Sequence, residues 1–171
     1  MAHFPVNHPL RPLYRALSGL AAVYVLLFGI VGLVQTTSKH VAVFDQHGVW
    51  VLALRANPAF AVLSIVAGVV ILVATLIGRN LDHFVYVIAG VVFMVSGMAM
   101  MTLLQTNANF LGFSMITCIV SFILGIIWLT AGLYSKSGSH EQQHEEEQFR
   151  HRGAIPIAHA EAREAAHRAE S

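Results

Sequence analysis

A chain of 171 residues that is 56% apolar and only 11% charged, with a mean hydropathy of +0.66, is too apolar for an ordinary water-soluble domain. Its formal net charge of +1 gives no basis for nucleic-acid binding. One cysteine, Cys118, excludes an intramolecular disulfide and is most simply a small packing residue.

Arg11 and Arg15 precede the first apolar stretch, Ala16 to Val34. The stretch is longer than a signal-peptide core, and no small-x-small cleavage site follows, so it is read as a spanning helix. Three more uncharged apolar stretches run from Ala59 to Ile77, Phe84 to Leu104 and Phe110 to Leu133. At about 1.5 Å of helix per residue, such stretches reach roughly 28 to 36 Å, enough to cross a bilayer core of about 30 Å. In lipid the backbone must satisfy its own hydrogen bonds, so each stretch is expected to be a helix. The fold class is therefore an all-α membrane protein, a four-helix transmembrane bundle with a disordered C-terminal tail, and its first partner is the lipid bilayer.

The segment 35–56 between the first two spans is long and half apolar, with Val41, Val43, Phe44, Val49, Trp50, Val51, Leu52 and Leu54. It is expected either to lie on the outer membrane surface or to fold over the bundle. His40, Asp45 and His47 stand in this loop, but two histidines and one carboxylate in a loop are read as solvated side chains and not as a metal site. Asn57-Pro58 opens the second helix as cap and first turn. Gly78 is expected to close it in a left-handed conformation, and Asp82 to cap the third helix. The connections 78–83 and 105–109 are short, which makes helices two, three and four antiparallel neighbours.

Ser64-x3-Gly68 and Ser121-x3-Gly125 each put small residues on one helix face. Lipid tails are as apolar as leucine, so close approach at small residues must hold such a bundle. Ser64, Gly68, Ser121 and Gly125 are therefore the helix-packing candidates, within the chain first and in a homo-oligomer or a membrane-protein complex second. Met94, Met98, Met100 and Met101 are read as gap-fillers. A faint echo pairs Asn57, Phe60 and Ser64 with Asn107, Phe110 and Ser114 at an offset of 50, and 33–36 with 103–106, which either a duplicated hairpin or chance likeness among apolar segments produces.

Basic residues flank the spans unevenly: Arg11, Arg15, Arg79 and Lys136 on one side, Lys39 and Arg55 on the other. The positive-inside rule then places both termini in the cytoplasm. Tyr14, Tyr86, Trp128 and Tyr134 fall near the inner boundary, and Phe44, Trp50, Phe60 and Phe110 near the outer one, where they are expected to act as interfacial anchors. All ten histidines lie outside the spans, and the spans hold no carboxylate or basic residue. Haem ligation, proton relays and nucleophilic catalysis at membrane depth lack the side chains they need, so catalytic, cofactor and metal residues are expected to be none. From Ser135 onward the chain turns polar, with a Ser-Gly linker, a Glu run and five histidines; it is too poor in apolar residues to build a core and is expected to be disordered or partly helical. His140-x3-His144 is read as part of a solvated tail, not as a metal grip.

The residues Arg55-Ala-Asn-Pro-Ala-Phe60, Arg79-Asn-Leu-Asp-His83 and 106–114 through Thr130-Ala-Gly-Leu-Tyr134 are similar to those of the actinobacterial four-helix membrane proteins grouped as the DUF4383 family. The resemblance covers roughly Leu13 to Tyr134. It implies an integral plasma-membrane protein of unassigned activity and adds no site residues. The sequence therefore favours a non-enzymatic accessory or scaffold subunit over a carrier or channel component for a neutral or lipid-like molecule.

Overall fold

Uncharged runs of about 20 residues form helices because an open backbone cannot satisfy itself in lipid, and four such helices are present among the described residues. A computed structural model of the chain describes residues 10–135. The helices are α1 (Arg11–Ser38), α2 (Pro58–Ile77), α3 (Leu81–Leu103) and α4 (Met115–Tyr134), each long and apolar enough to cross a membrane. The expectation for the tail falls on residues 136–171, outside the described residues.

Helix α1 is longer than its apolar core. Pro12 suits its first turn, and beyond Val34 the hydroxyls of Thr36 and Ser38 donate back to the carbonyls of Gly32 and Val34, both at 2.8 Å. Helix α2 opens as expected: the Asn57 side chain accepts from the Phe60 amide at 2.8 Å. Its end differs from expectation. Gly78 has φ +65° but ψ −128°, outside the left-handed helical region, and the left-handed residue is Asn80. Asp82 is not the cap of α3 either. It lies in the first turn, one position after Leu81, where its carboxylate turns toward α1. Helix α4 starts at Met115, capped by Ser114, and not at Phe110. The apolar residues before it roof the bundle. Asn109 is buried and bonds the Phe113 amide and carbonyl at 2.8 and 2.9 Å, which holds 109–113 as a tight loop.

The long loop folds over the bundle. Strands β1 (Val49–Val51) and β2 (Leu54–Ala56) form an antiparallel hairpin, with Val51 opposite Leu54 and Val49 opposite Ala56. Val51, Leu54 and Ala56 are buried against Phe28 of α1. The two turn residues, Leu52 and Ala53, both have positive φ, as a two-residue hairpin turn demands, although neither is a residue type that favours it. Asn57 ties this loop to the other connection by donating to the carbonyls of Asp45 at 3.0 Å and Phe110 at 2.9 Å.

The helices pack as two tight hairpins, α1 with α2 and α3 with α4, joined along looser α2–α3 and α1–α4 seams. Glycine contacts show that the hairpins repeat each other. Gly29 abuts the Ala61 carbonyl, and Gly97 abuts the Cys118 carbonyl; Gly68 abuts Leu26, and Gly125 abuts Met94; Gly19 meets Thr75, and Val87 meets Gly132. A shift of 68 carries each residue of α1 onto its counterpart in α3, and a shift of 57 carries α2 onto α4. The offset of 50 is therefore not the structural one, because Asn107 and Phe110 lie in the connection before α4. The two shifts differ because the first hairpin's loop is longer and holds the strands.

Candidate functional site

Two places stand out: a polar clasp at the end of the bundle where the described chain begins and ends, and an apolar groove between α2 and α3.

The clasp starts from spacing. Arg11 and Arg15 are four residues apart, so both guanidinium groups leave one face of α1. Between them sits Asp82, fully buried, with Oδ2 3.5 Å from Arg11 Nη2 and 3.4 Å from Arg15 Nε. Arg11 Nε also donates to the Ser135 carbonyl at 3.0 Å, and Arg15 Nη2 donates to the Thr75 carbonyl. On α3, His83 Nδ1 donates to the Gly132 carbonyl at 2.6 Å. The basic groups thus sit on the last turns of α2 and α4, where helix dipoles are negative, and the carboxylate sits on the first turn of α3, where the dipole is positive. All four helices meet here. The clasp is at the bundle end and not at its middle, which is where long arginine side chains can reach water.

Two aromatics expected at the interface are in the core. Tyr86 and Trp128 are fully buried. Tyr86 donates to Thr75 Oγ1 at 2.8 Å, and Trp128 Nε1 donates to the Ser18 carbonyl at 3.3 Å, so each polar tip is satisfied inside the bundle. Phe60 also turns inward, against Phe28 and Phe113. Phe44, Trp50 and Phe110 are exposed, and Tyr14 stacks on Tyr134.

The packing candidates separate by role. Ser64 and Ser121 line the same two cavities near the bundle centre. Gly68 and Gly125 face different partners: a Cβ on Gly68 would stand 2.8 Å from Leu26 Cβ, and one on Gly125 2.6 Å from Met94 Cγ. His47 is exposed, and its amide donates to Asp45 Oδ1 at 2.8 Å. Among the described residues no three His, Cys, Asp or Glu side chains cluster as metal ligands would.

The groove lies on the α2–α3 seam. One cavity of about 320 Å3 is lined by Ala67, Val70, Ile71, Val85, Ile88, Ala89, Val92 and Phe93. A second, of about 120 Å3, shares Ala67, Val92 and Phe93 with it and extends toward Leu111 and Phe113. The repeat explains the gap. On the α4–α1 seam the counterparts of Ala67, Ile71 and Val92 are Leu124, Trp128 and Tyr24, which are larger and pack into the core. No sequence signal marked the groove, because Ala and Val in a span are ordinary. The clasp was legible in part, through the spacing of Arg11 and Arg15 and the lone Asp82.

Comparison with family models, curated proteins and solved structures gave no match.

Proposed function

We propose that the protein is a non-enzymatic accessory or scaffold subunit of a bacterial plasma membrane, with both termini in the cytoplasm. The observation that carries this reading is how the polar groups are used. Arg11, Arg15 and Asp82 at the terminal end of the bundle bind one another and helix ends, while the interior beyond them is packed with Ala22, Val25, Ile71, Leu124 and Trp128. Such an interior holds helices together and offers an ion no polar path. Purification in mild detergent is expected to bring down a fixed membrane-protein partner in constant ratio; a protein that purifies alone at every detergent strength tried would overturn the accessory role. Reporter fusions after Lys136 and near Gln46 are expected to report opposite compartments, and the same compartment would overturn the topology.

The groove favours one second reading, a carrier component for a neutral or lipid-like molecule, since ligand pockets are typically apolar and of about 300–1,000 Å3. Substrate flux by the pure protein in liposomes would favour it over the first.

A further inference from the structure

The α2–α3 groove has a feature at its terminal end that its shape does not require. The connection between the two groove-lining helices is Gly78-Arg79-Asn80, and Arg79 is exposed. Unlike Arg11 and Arg15, Arg79 makes no ion pair or hydrogen bond among the described residues. Helix α3 starts at Leu81, and the first groove residue on it, Val85, is one turn further along. The Arg79 guanidinium therefore belongs to the connection that closes this end of the slot, six residues before Val85 and eight after Ile71.

We propose that this groove holds one acyl chain of an anionic phospholipid from the leaflet on that side, with the lipid phosphate on Arg79. The larger cavity is lined only by apolar side chains, which matches the chain, the smaller adds the Ser64, Ser96 and Ser121 hydroxyls, and a cation at the headgroup level matches the phosphate. The size also fits, because the two adjoining cavities of about 320 and 120 Å3 run along the seam from Val85 toward Phe113. On the opposite seam Leu124, Trp128 and Tyr24 take the corresponding positions, and the cavity beside Tyr24 and Leu124 is only about 20 Å3. A bound lipid completes the packing that the repeat leaves undone on one side. This inference does not depend on the accessory role, because a resident lipid is compatible with a scaffold or a carrier.

The test uses the full chain in mild detergent, with phosphatidylglycerol and phosphatidylcholine of identical acyl chains as probes and retained lipid read by native mass spectrometry. The parent is expected to retain one lipid and to prefer phosphatidylglycerol. Arg79→Gln, at an exposed connection, is expected to lower that preference by about fivefold, the usual worth of one interfacial basic residue. Ala67→Leu with Val92→Tyr fills the groove with the side chains of the other seam and is expected to lose both lipids. Retention of lipid by the filled variant would overturn the chain site, and unchanged headgroup preference in Arg79→Gln would overturn the phosphate site. A parent that retains no lipid but forms a dimer, lost in the filled variant, would overturn the proposal in favour of a second copy. If the filled variant does not fold, Arg79→Gln still tests the phosphate site, and the single variant Ala67→Leu tests the chain site.

Discussion

The two helical hairpins of this bundle share their glycine contacts and differ in almost everything those contacts do not control. Ser64 and Gly68 of the first recur as Ser121 and Gly125 of the second, and both glycines sit against the partner helix of their own hairpin. At two of the closest approaches, Gly29 with Gly97 and Gly68 with Gly125, both hairpins keep glycine, whereas Gly90 and Gly132 of the second hairpin have Ala22 and Thr75 as counterparts in the first. Where they touch less closely, size is free to vary. Ala67 and Val92 on one seam correspond to Leu124 and Tyr24 on the other, where the cavity is about 20 Å3 against about 320 Å3. The loops diverge further. The first hairpin carries a β-strand pair, and the second a short Asn-held loop.

The sharpest way to break the comparison is to fill its shared contact. Gly68→Leu and Gly125→Leu should each lower stability in detergent by at least about 3 kcal/mol, because the helices must separate along the whole hairpin. Both should exceed Leu72→Ala, whose side chain is only partly buried. Thermal unfolding of the purified variants checks this, and melting temperatures equal to the parent's would refute the seam.

Trp128→Ile transfers the residue of the open seam to the closed one. It should open a cavity against Ser18 and Phe93 and cost about 2–3 kcal/mol, short of a full truncation to alanine. An unchanged melting temperature would show that α1 and α4 close up without the indole, and that the asymmetry between seams is not set by side-chain size.

Asp82→Asn removes the one negative charge that joins the hairpins at the clasp. Two arginines then face each other across a neutral amide, with a loss of about 2 kcal/mol, reduced from the fully buried case because both guanidinium groups reach water. Arg11→Gln should cost less than Asp82→Asn, because Arg15 still pairs with the carboxylate. The reverse order in thermal unfolding would show that Arg11 acts mainly through the Ser135 carbonyl.

The smallest effect sharpens the difference between the loops and has the opposite sign. Leu52 and Ala53 sit at φ +45° and +69°, where non-glycine residues are strained. Leu52→Asn with Ala53→Gly supplies the residues a two-residue turn favours and should raise stability by about 1 kcal/mol. A lower melting temperature would show that the Leu52 side chain, half exposed here, does more by contact than its backbone loses by strain.

The sequence by itself determined that there are four membrane-length helices among the described residues and where they lie to within a few residues. These follow from the length of uncharged runs and from the demand that backbone in lipid satisfy itself, which are local properties of the chain. Hydropathy misplaced the start of α4 by five residues, because an apolar residue that roofs a bundle scores the same as one inside a span. It also sent Tyr86 and Trp128 to the membrane interface, because depth along a helix says nothing about which way a side chain turns around it. The tertiary structure alone decided the repeat offsets, the inward Asp82 and the one-sided groove. Each depends on pairs of residues from different helices, as Arg15 with Asp82 and Gly68 with Leu26, and a pattern read along one helix cannot register its neighbour.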